Sequence, residues 1–202
     1  MTDSYIYKLC TFVTFSFFVA MQFQIINVNF AGQMRQHLDL PTVQSIIKES
    51  SRLINHPAQL VIKKTKNDDG CVIFFKSGKF RVMGLQTDCK LTAFSLAYKY
   101  TSQINVDDIP TIRLQSMCVK TKFDHHINLE RLYTVYCEQF SDNAATLELE
   151  LFPALCIRRW KPISINIFAS GAIVMFGIKD LSICTVIIEE LYPLFCKCAI
   201  II

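Results

Sequence analysis

Residues 152–177 read FPALCIRRWKPISINIFASGAIVMFG, and residues 56–84 read HPAQLVIKKTKNDDGCVIFFKSGKFRVMG. Both stretches run an apolar-basic strand, a polar turn containing lysine, and a second strand that ends in aromatics. Both then place Ser-Gly at a tight turn and close on a strand ending in glycine. Phe75, Ser77, Gly78 and Gly84 correspond to Phe168, Ser170, Gly171 and Gly177 at a constant shift (168 − 75 and 177 − 84 both give 93). Upstream, His37-Leu38-Asp39-Leu40 returns as His126-Ile127-Asn128-Leu129 at another shift (126 − 37 gives 89). The shifts differ by four residues, so an insertion separates the front and back of the copies. A repeat that fills the chain in this way means two copies of one α+β unit rather than a solenoid.

At 202 residues the chain suits one domain or two small fused halves, with a sizeable core. A composition of 51% hydrophobic and 19% charged residues excludes a disordered chain. The net charge of +4 permits a polyanionic partner without requiring one, because a basic face matters more than the total. The nine cysteines are odd in number, and the chain is long for a disulfide scaffold. Cys71, Cys118, Cys156 and Cys184 sit in apolar runs, where a free thiol behaves as a small hydrophobe, and this favours a reducing compartment. Cys196-Lys197-Cys198 is the one close pair, and no second pair completes a zinc set. His125-His126 has no partner Cys or Ser in a recognisable motif, and there is no Gly-rich phosphate loop. The expectation is a protein without catalytic set, metal or cofactor.

Residues 6–22, IYKLCTFVTFSFFVAMQ, hold about 13 apolar or small residues between Lys8 and Gln22. That is short of the roughly 20 residues a membrane span needs. It has the length of a signal-peptide core, with Ala20 near a cleavage point, but Asp3 against a single Lys8 makes a poor leading region. We read it as an extension ahead of the domain, with a secretory or anchoring role as the alternative and Met21 as an alternative start. Residues 23–30 alternate in period two and read as a strand. Pro41 opens a helix through about Ile54, with Val43, Ile46, Ile47 and Leu53 as its apolar stripe. A strand at 114–119 and a helix through about Phe140 repeat that order. Hairpin strands are expected at 58–64, 71–76 and 79–84, and again at 154–160, 164–169 and 172–177. Asn67 to Gly70, Ser77-Gly78 and Ser170-Gly171 mark the turns, glycine supplying the positive φ. Helices at 88–103 and 180–192 close the copies, the second ended near Pro193, and 106–110 links them. The expected boundaries are an extension at 1–22, a first repeat at 23–108 and a second at 109–202.

The second copy resembles the TATA-box-binding protein family. The resemblance rests on Phe152-Pro153-Ala154-Leu155, Arg158, Lys161-Pro162, Ile167-Phe168, Ser170-Gly171, Gly177, Lys179 and Glu189 to Leu194 (EELYPL), each in the family's order. It spans roughly residues 23–195 and includes the duplication. It implies an α+β saddle: two pseudo-symmetric repeats forming one curved antiparallel sheet of about ten strands, helices on the convex side and a concave face on the DNA minor groove. In that family phenylalanine pairs wedge between base steps and kink the duplex, and the TATA-binding protein is itself the reference case for exchanging stacking for a larger wrapped surface. Phe152 and Phe168 match the second pair and Phe75 the inner member of the first. His56 or Pro57 stands where the outer member belongs.

Period-two spacing puts Ile73 with Phe75, Arg81 with Met83, Asn166 with Phe168 and Val174 with Phe176 on shared faces. The resemblance places these on the groove floor, where the family has mostly Val, Leu and Thr; Arg81, Met83, Asn166 and Phe176 depart. Asn27 keeps a central asparagine that donates to base acceptors, Ser116 replaces the other, and Asn29 and Cys118 replace small apolar neighbours. Phe176 and Arg81 speak against strict A·T preference, although arginine also enters narrow minor grooves. Lys63, Lys79, Arg158, Lys161 and Lys179 match phosphate-contacting positions, while Gln86 and Ala172 fall where lysine is usual. Such contacts give affinity and salt dependence without sequence choice. Phe74 and Phe80 are expected in the core. In Leu147 to Leu151 (LELEL), alternation sets both carboxylates on one side of an exposed edge. The resemblance makes Glu148, Glu150 and Leu151 contacts for a transcription factor IIB-like protein, while Leu96 and Ala97 replace basic positions that would meet transcription factor IIA.

The function so implied is a general transcription initiation factor on A·T-rich promoter duplexes, working with the RNA polymerase initiation machinery in the nucleus, or at a viral transcription site if the chain is viral. A second reading keeps the fold as a protein-interaction module that has lost specific DNA binding, and a third is a secreted or anchored protein. Whether a second copy completes a homodimer is open.

Overall fold

Two hydrogen-bond patterns, one per copy, carry the repeat from sequence into structure. The Met34 N–H donates to Gly78 O at 3.0 Å and the Leu38 N–H to Lys76 O at 2.9 Å. In the second copy the Phe123 N–H donates to Gly171 O at 2.9 Å and the Ile127 N–H to Ala169 O at 2.8 Å. The donors are related by the 89-residue shift and the acceptors by the 93-residue shift (123 − 34 and 171 − 78), so each pair of bonds stitches the two registers together. Gly78 (φ 79°) and Gly171 (φ 81°) sit in the hairpin turns, where their own N–H groups donate to Phe75 O and Phe168 O, each at 2.9 Å. A Cβ at Gly78 would stand 2.1 Å from Gln36 O, and one at Gly171 2.3 Å from Phe123 O, so only glycine fits either turn.

The computed structural model describes residues 21–48, 50–53, 56–62, 70–104 and 111–200. The elements are β1 (Gln24–Gln33), α1 (Leu40–Ile46), β2 (Ser50–Leu53), β3 (His56–Ile62), β4 (Cys71–Phe75), β5 (Lys79–Leu85) and α2 (Lys90–Thr101), which continues into a 3₁₀ turn (Ser102–Ile104). They continue with β6 (Thr111–Lys122), β7 (His126–Ile127), α3 (Leu129–Phe140), β8 (Ala145–Leu147), β9 (Ala154–Ile157), β10 (Ser164–Phe168), β11 (Ala172–Ile178), α4 (Ser182–Cys198) and β12 (Ala199–Ile200). The apolar run up to Ala20, Lys63, Asn67 to Asp69 and the 106–110 link lie outside the described residues.

The chain divides into a unit from Ile25 to Cys118 and a unit that begins at Val119. In the first, the strand order is β2-β3-β4-β5-β1-β6; in the second it is β6-β11-β10-β9-β8, β6 passing through the boundary. In the first unit Val28, Phe30, Val72, Phe74, Phe80 and Val82 are buried, with Phe74 and Phe80 centroids 6.1 Å apart, beside Ala93 and Ala97 of α2. In the second, Leu155, Ile165, Ile167, Ile173 and Met175 are buried with Leu132 of α3 and Ile187, Ile188 and Leu191 of α4. Burial of this kind contributes about 1.5–3 kcal/mol per large apolar side chain.

Two helix ends differ from the sequence expectation. The helix expected through Ile54 stops at Ile46: Ile47 is a fully buried, extended cap (φ −96°, ψ 92°), and Ser50–Leu53 pairs antiparallel with β3, Ser50 opposite Ile62. The pairing gives β3 partners for its backbone groups. Ile46 is exposed and Leu53 lies on the strand, so they form no stripe with Val43. The helix expected to end near Pro193 runs on to Cys198, because Leu194, Phe195 and Cys198 are all buried beyond the proline. Their burial outweighs the ~3 kcal/mol that an interior proline costs.

Candidate nucleic-acid interface

Alternation fixes what the uncovered face of each unit carries. Along β4 and β5, buried Val72, Phe74, Phe80 and Val82 alternate with half-buried Cys71, Ile73, Phe75 and Met83 and with exposed Lys79 and Arg81. Ile73 stands opposite Arg81, Cys71 opposite Met83, Asn29 opposite Met83 and Ala31 opposite Arg81. The registers therefore bring Asn29, Ile73, Phe75, Arg81 and Met83 to one side of the sheet. A bulge follows Val28, and there the side-chain oxygen of exposed Asn27 accepts the Gly84 N–H at 2.9 Å. With its oxygen held, the Asn27 amide keeps its NH₂ as the outward donor. The Oδ1 of Asn29 is buried without a partner. Ser116 and Cys118 are half-buried between buried Met117 and Val119.

The second unit repeats the pattern. Asn166 stands opposite both Val174 and Cys156, Phe168 opposite Ala154, and Ser164 opposite Phe176. Asn166, Phe168 and Val174 are half-buried and Phe176 is exposed, while Ile165, Ile167, Ile173 and Met175 are sealed beneath. Phe152 is 40% exposed and meets Phe168 edge-on, ring centroids 6.0 Å apart and planes at 66°. The side chains of His56 and Pro57 lie outside the described residues, so the first unit shows only Phe75 of its expected pair.

Lys79, Arg158, Lys161 and Lys179 are exposed, and none is ion-paired among the described residues. Arg159, beside Arg158 in the chain, turns the other way. Its guanidinium bonds Asp142, reaches Glu190 at 3.5 Å and lies 4.4 Å over the Phe140 ring. The Tyr136 hydroxyl donates to Asp142 at 3.1 Å. Desolvation opposes ionisation of Asp142, but the bonds from Arg159, Tyr136 and the Ala144 N–H prevail and hold its carboxyl below the ordinary 3.8. The cluster ties the chain after β9 to α3 and α4 and so leaves Arg158 outward.

One expectation needs correction. Glu148, Glu150 and Leu151 do not alternate along an edge strand: β8 ends at Leu147, and the chain turns so that the N–H groups of Leu151 and Phe152 both donate to Glu148 O, at 3.0 and 2.9 Å. The return to β9 needs that turn. Both carboxylates are exposed there, and Leu151 is 81% exposed. Of the four cysteines in apolar runs, only Cys184 is core, its thiol pushed up to about 11 by burial and then by Asp180. Cys71, Cys118 and Cys156 are half-buried, Cys71 opposite Met83 and Cys156 opposite Asn166 on the uncovered side.

Sequence reasoning missed a cleft of about 580 Å³ in the first unit, bordered by Phe75, Lys79, Arg81, Arg113, Gln33 and Gln115. The signal was present in Ile112-Arg113-Leu114-Gln115, where polar residues alternate with apolar ones at the start of β6. Among the described residues there is no cluster of three metal-ligating side chains, and no helix is long and apolar enough to cross a membrane.

Residues 111–198 match the family model described as transcription factor TFIID (or TATA-binding protein, TBP). No curated protein matches the chain. Eighteen chains of solved structures do. One is the TBP of Methanococcus jannaschii, with a TM-score of 0.71 and 21% identity over 87% of this chain and 99% of that one. At that identity the likeness shows the fold.

Proposed function

We propose that the chain, whose residues 111–198 match the TATA-binding protein family model and whose fold is similar to that of the Methanococcus jannaschii TBP over 87% of its length, is a divergent TBP-like transcription initiation factor that binds and bends promoter DNA through the minor groove. The observation that carries this reading is the Phe152–Phe168 pair, two rings in contact and accessible on an otherwise half-buried apolar face. An exposed aromatic pair of this kind marks an interaction site, and a wedge entering a base step is the use that fits the exposed cations Arg158, Lys161 and Lys179 of the same unit. Phe75 acts at the other kink. Asn27, Asn29, Ser116, Cys118, Ile73, Met83, Val174, Asn166 and Phe176 lie along the groove floor, and Arg81 reads its width. Lys63, Lys79, Arg158, Lys161 and Lys179 neutralise phosphates. Glu148, Glu150 and Leu151 recruit a IIB-like factor, supported by their exposure on a turn rather than by strand spacing. The site of action is the nucleus or a viral transcription compartment.

The test is binding of the full chain to labelled A·T-rich and G·C-rich duplexes across salt, with Phe152→Ala/Phe168→Ala alongside. Salt-dependent binding that bends the duplex and collapses in the double variant is expected. A folded protein that binds neither duplex at low salt would sink the proposal.

A further inference from the structure

The cleft of the first unit holds a cation, Arg113, that the family resemblance does not assign, beside Lys79 and Arg81, which it does. Its walls carry three cations, Lys79 and Arg81 from β5 and Arg113 from β6, with the amides of Gln33 and Gln115, and no carboxylate among the described residues lines it. All three cations are exposed, and none is ion-paired among the described residues. Like charges around one concavity without a counter-charge raise its positive potential and so favour an anion there. The rim is Phe75, whose ring would mark a kinked step. Register explains the convergence. Phe74 faces Phe80 and Ile73 faces Arg81, so Phe75 falls beside Lys79, while Ala31 and Gln33 of β1 face Arg81 and Lys79. Gly32 lets the floor close, since a Cβ there would strike the Phe80 ring at 2.1 Å and Thr111 O at 2.6 Å.

We infer that this cleft seats a backbone phosphodiester of the bound duplex, with Arg113 as a further phosphate contact next to the Phe75 kink. The inference rests on the DNA-binding reading and deepens it: the first unit grips the bent strand by charge. Arginine suits the task because its planar fork can hold two phosphate oxygens at once.

The experiment measures the affinity of the full chain for one A·T-rich duplex from low to moderate salt, for wild type, Arg113→Ala, Arg113→Lys and, as a control in the other unit, exposed Lys197→Ala. Each phosphate neutralised contributes about 0.9 to the slope of log affinity against log salt. Arg113→Ala is expected to lower the slope by about one phosphate's worth, Arg113→Lys to restore most of it, and Lys197→Ala to leave it unchanged. Wild-type slope in a folded Arg113→Ala, or a loss that the control shares, overturns the cleft while leaving DNA binding intact. Absence of binding by the wild type overturns both, and thereby separates the two failures.

Discussion

At Gly171 a methyl group would stand 2.3 Å from Phe123 O and 2.6 Å from His125 O, on a backbone at φ 81°. Gly171→Ala is therefore expected to destabilise the protein by about 2 kcal/mol or more, read as a lower urea midpoint at unchanged m. A midpoint within error of wild type would show that the turn can relax. Asp142 supplies a pH-dependent test. Its carboxyl is held below the ordinary 3.8 in the folded state, despite desolvation, by hydrogen bonds from Arg159, Tyr136 and the Ala144 N–H. A depressed carboxyl contributes stability that is complete above the unfolded pKa and is lost as pH falls through the folded one. The stability gap between wild type and Asp142→Asn should thus be flat from neutral pH to about 5 and shrink below about 4. A gap that persists unchanged in acid would mean that the Asp142 charge is not what the cluster stabilises.

The helices that open the two repeats share a position at the 89-residue shift but not a cap. Asn128 accepts the Arg131 N–H at 3.0 Å at the start of α3, whereas Asp39, its counterpart in α1, makes no side-chain cap bond. Asn128→Ala should then cost about 1 kcal/mol by urea unfolding, and Asp39→Ala clearly less; equal losses would contradict the cap assignment. The same helices show where element boundaries escape local reading. The Ser-Gly hairpins were legible because positive φ is a backbone demand that glycine meets in place, at Gly78 and Gly171 alike. The end of α1 was not, because Ser50–Leu53 leaves the helix to pair with a strand that follows it in sequence, and no residue from Ile47 to Ser50 announces the change. Pro193 misled for the opposite reason. It is a strong local stop, overridden by Leu194, Phe195 and Cys198 packing beneath it. Phe195 and Tyr192 flank the Phe123 ring at 5.7 Å each, a long-range contact that helical spacing alone does not reveal.

Across the whole molecule the two copies keep one backbone plan and diverge in what they expose. Period-two alternation was enough to put Phe75 with Ile73 and Phe168 with Asn166 on shared faces, since each pair lies two residues apart on one strand. It was not enough to find Arg113, whose role depends on which strand β6 lies beside, nor the turn at Glu148, which closes on its own carbonyl. The divergence has a mechanical consequence under the proposed function. The second unit presents two rings 6.0 Å apart, while the first pairs Phe75 with a cationic cleft. A duplex bound by such a protein should be bent unequally. Measured by energy transfer between dyes at the duplex ends and its centre, Phe168→Ala should straighten its half and lower affinity by about tenfold, or ~1.4 kcal/mol. Phe75→Ala should change the other half less, because phosphate contacts at Lys79 and Arg113 still hold the strand there, and its residual bend should fade as salt rises. Equal straightening by the two variants, with no added salt sensitivity in Phe75→Ala, would show that both ends work by wedging alone.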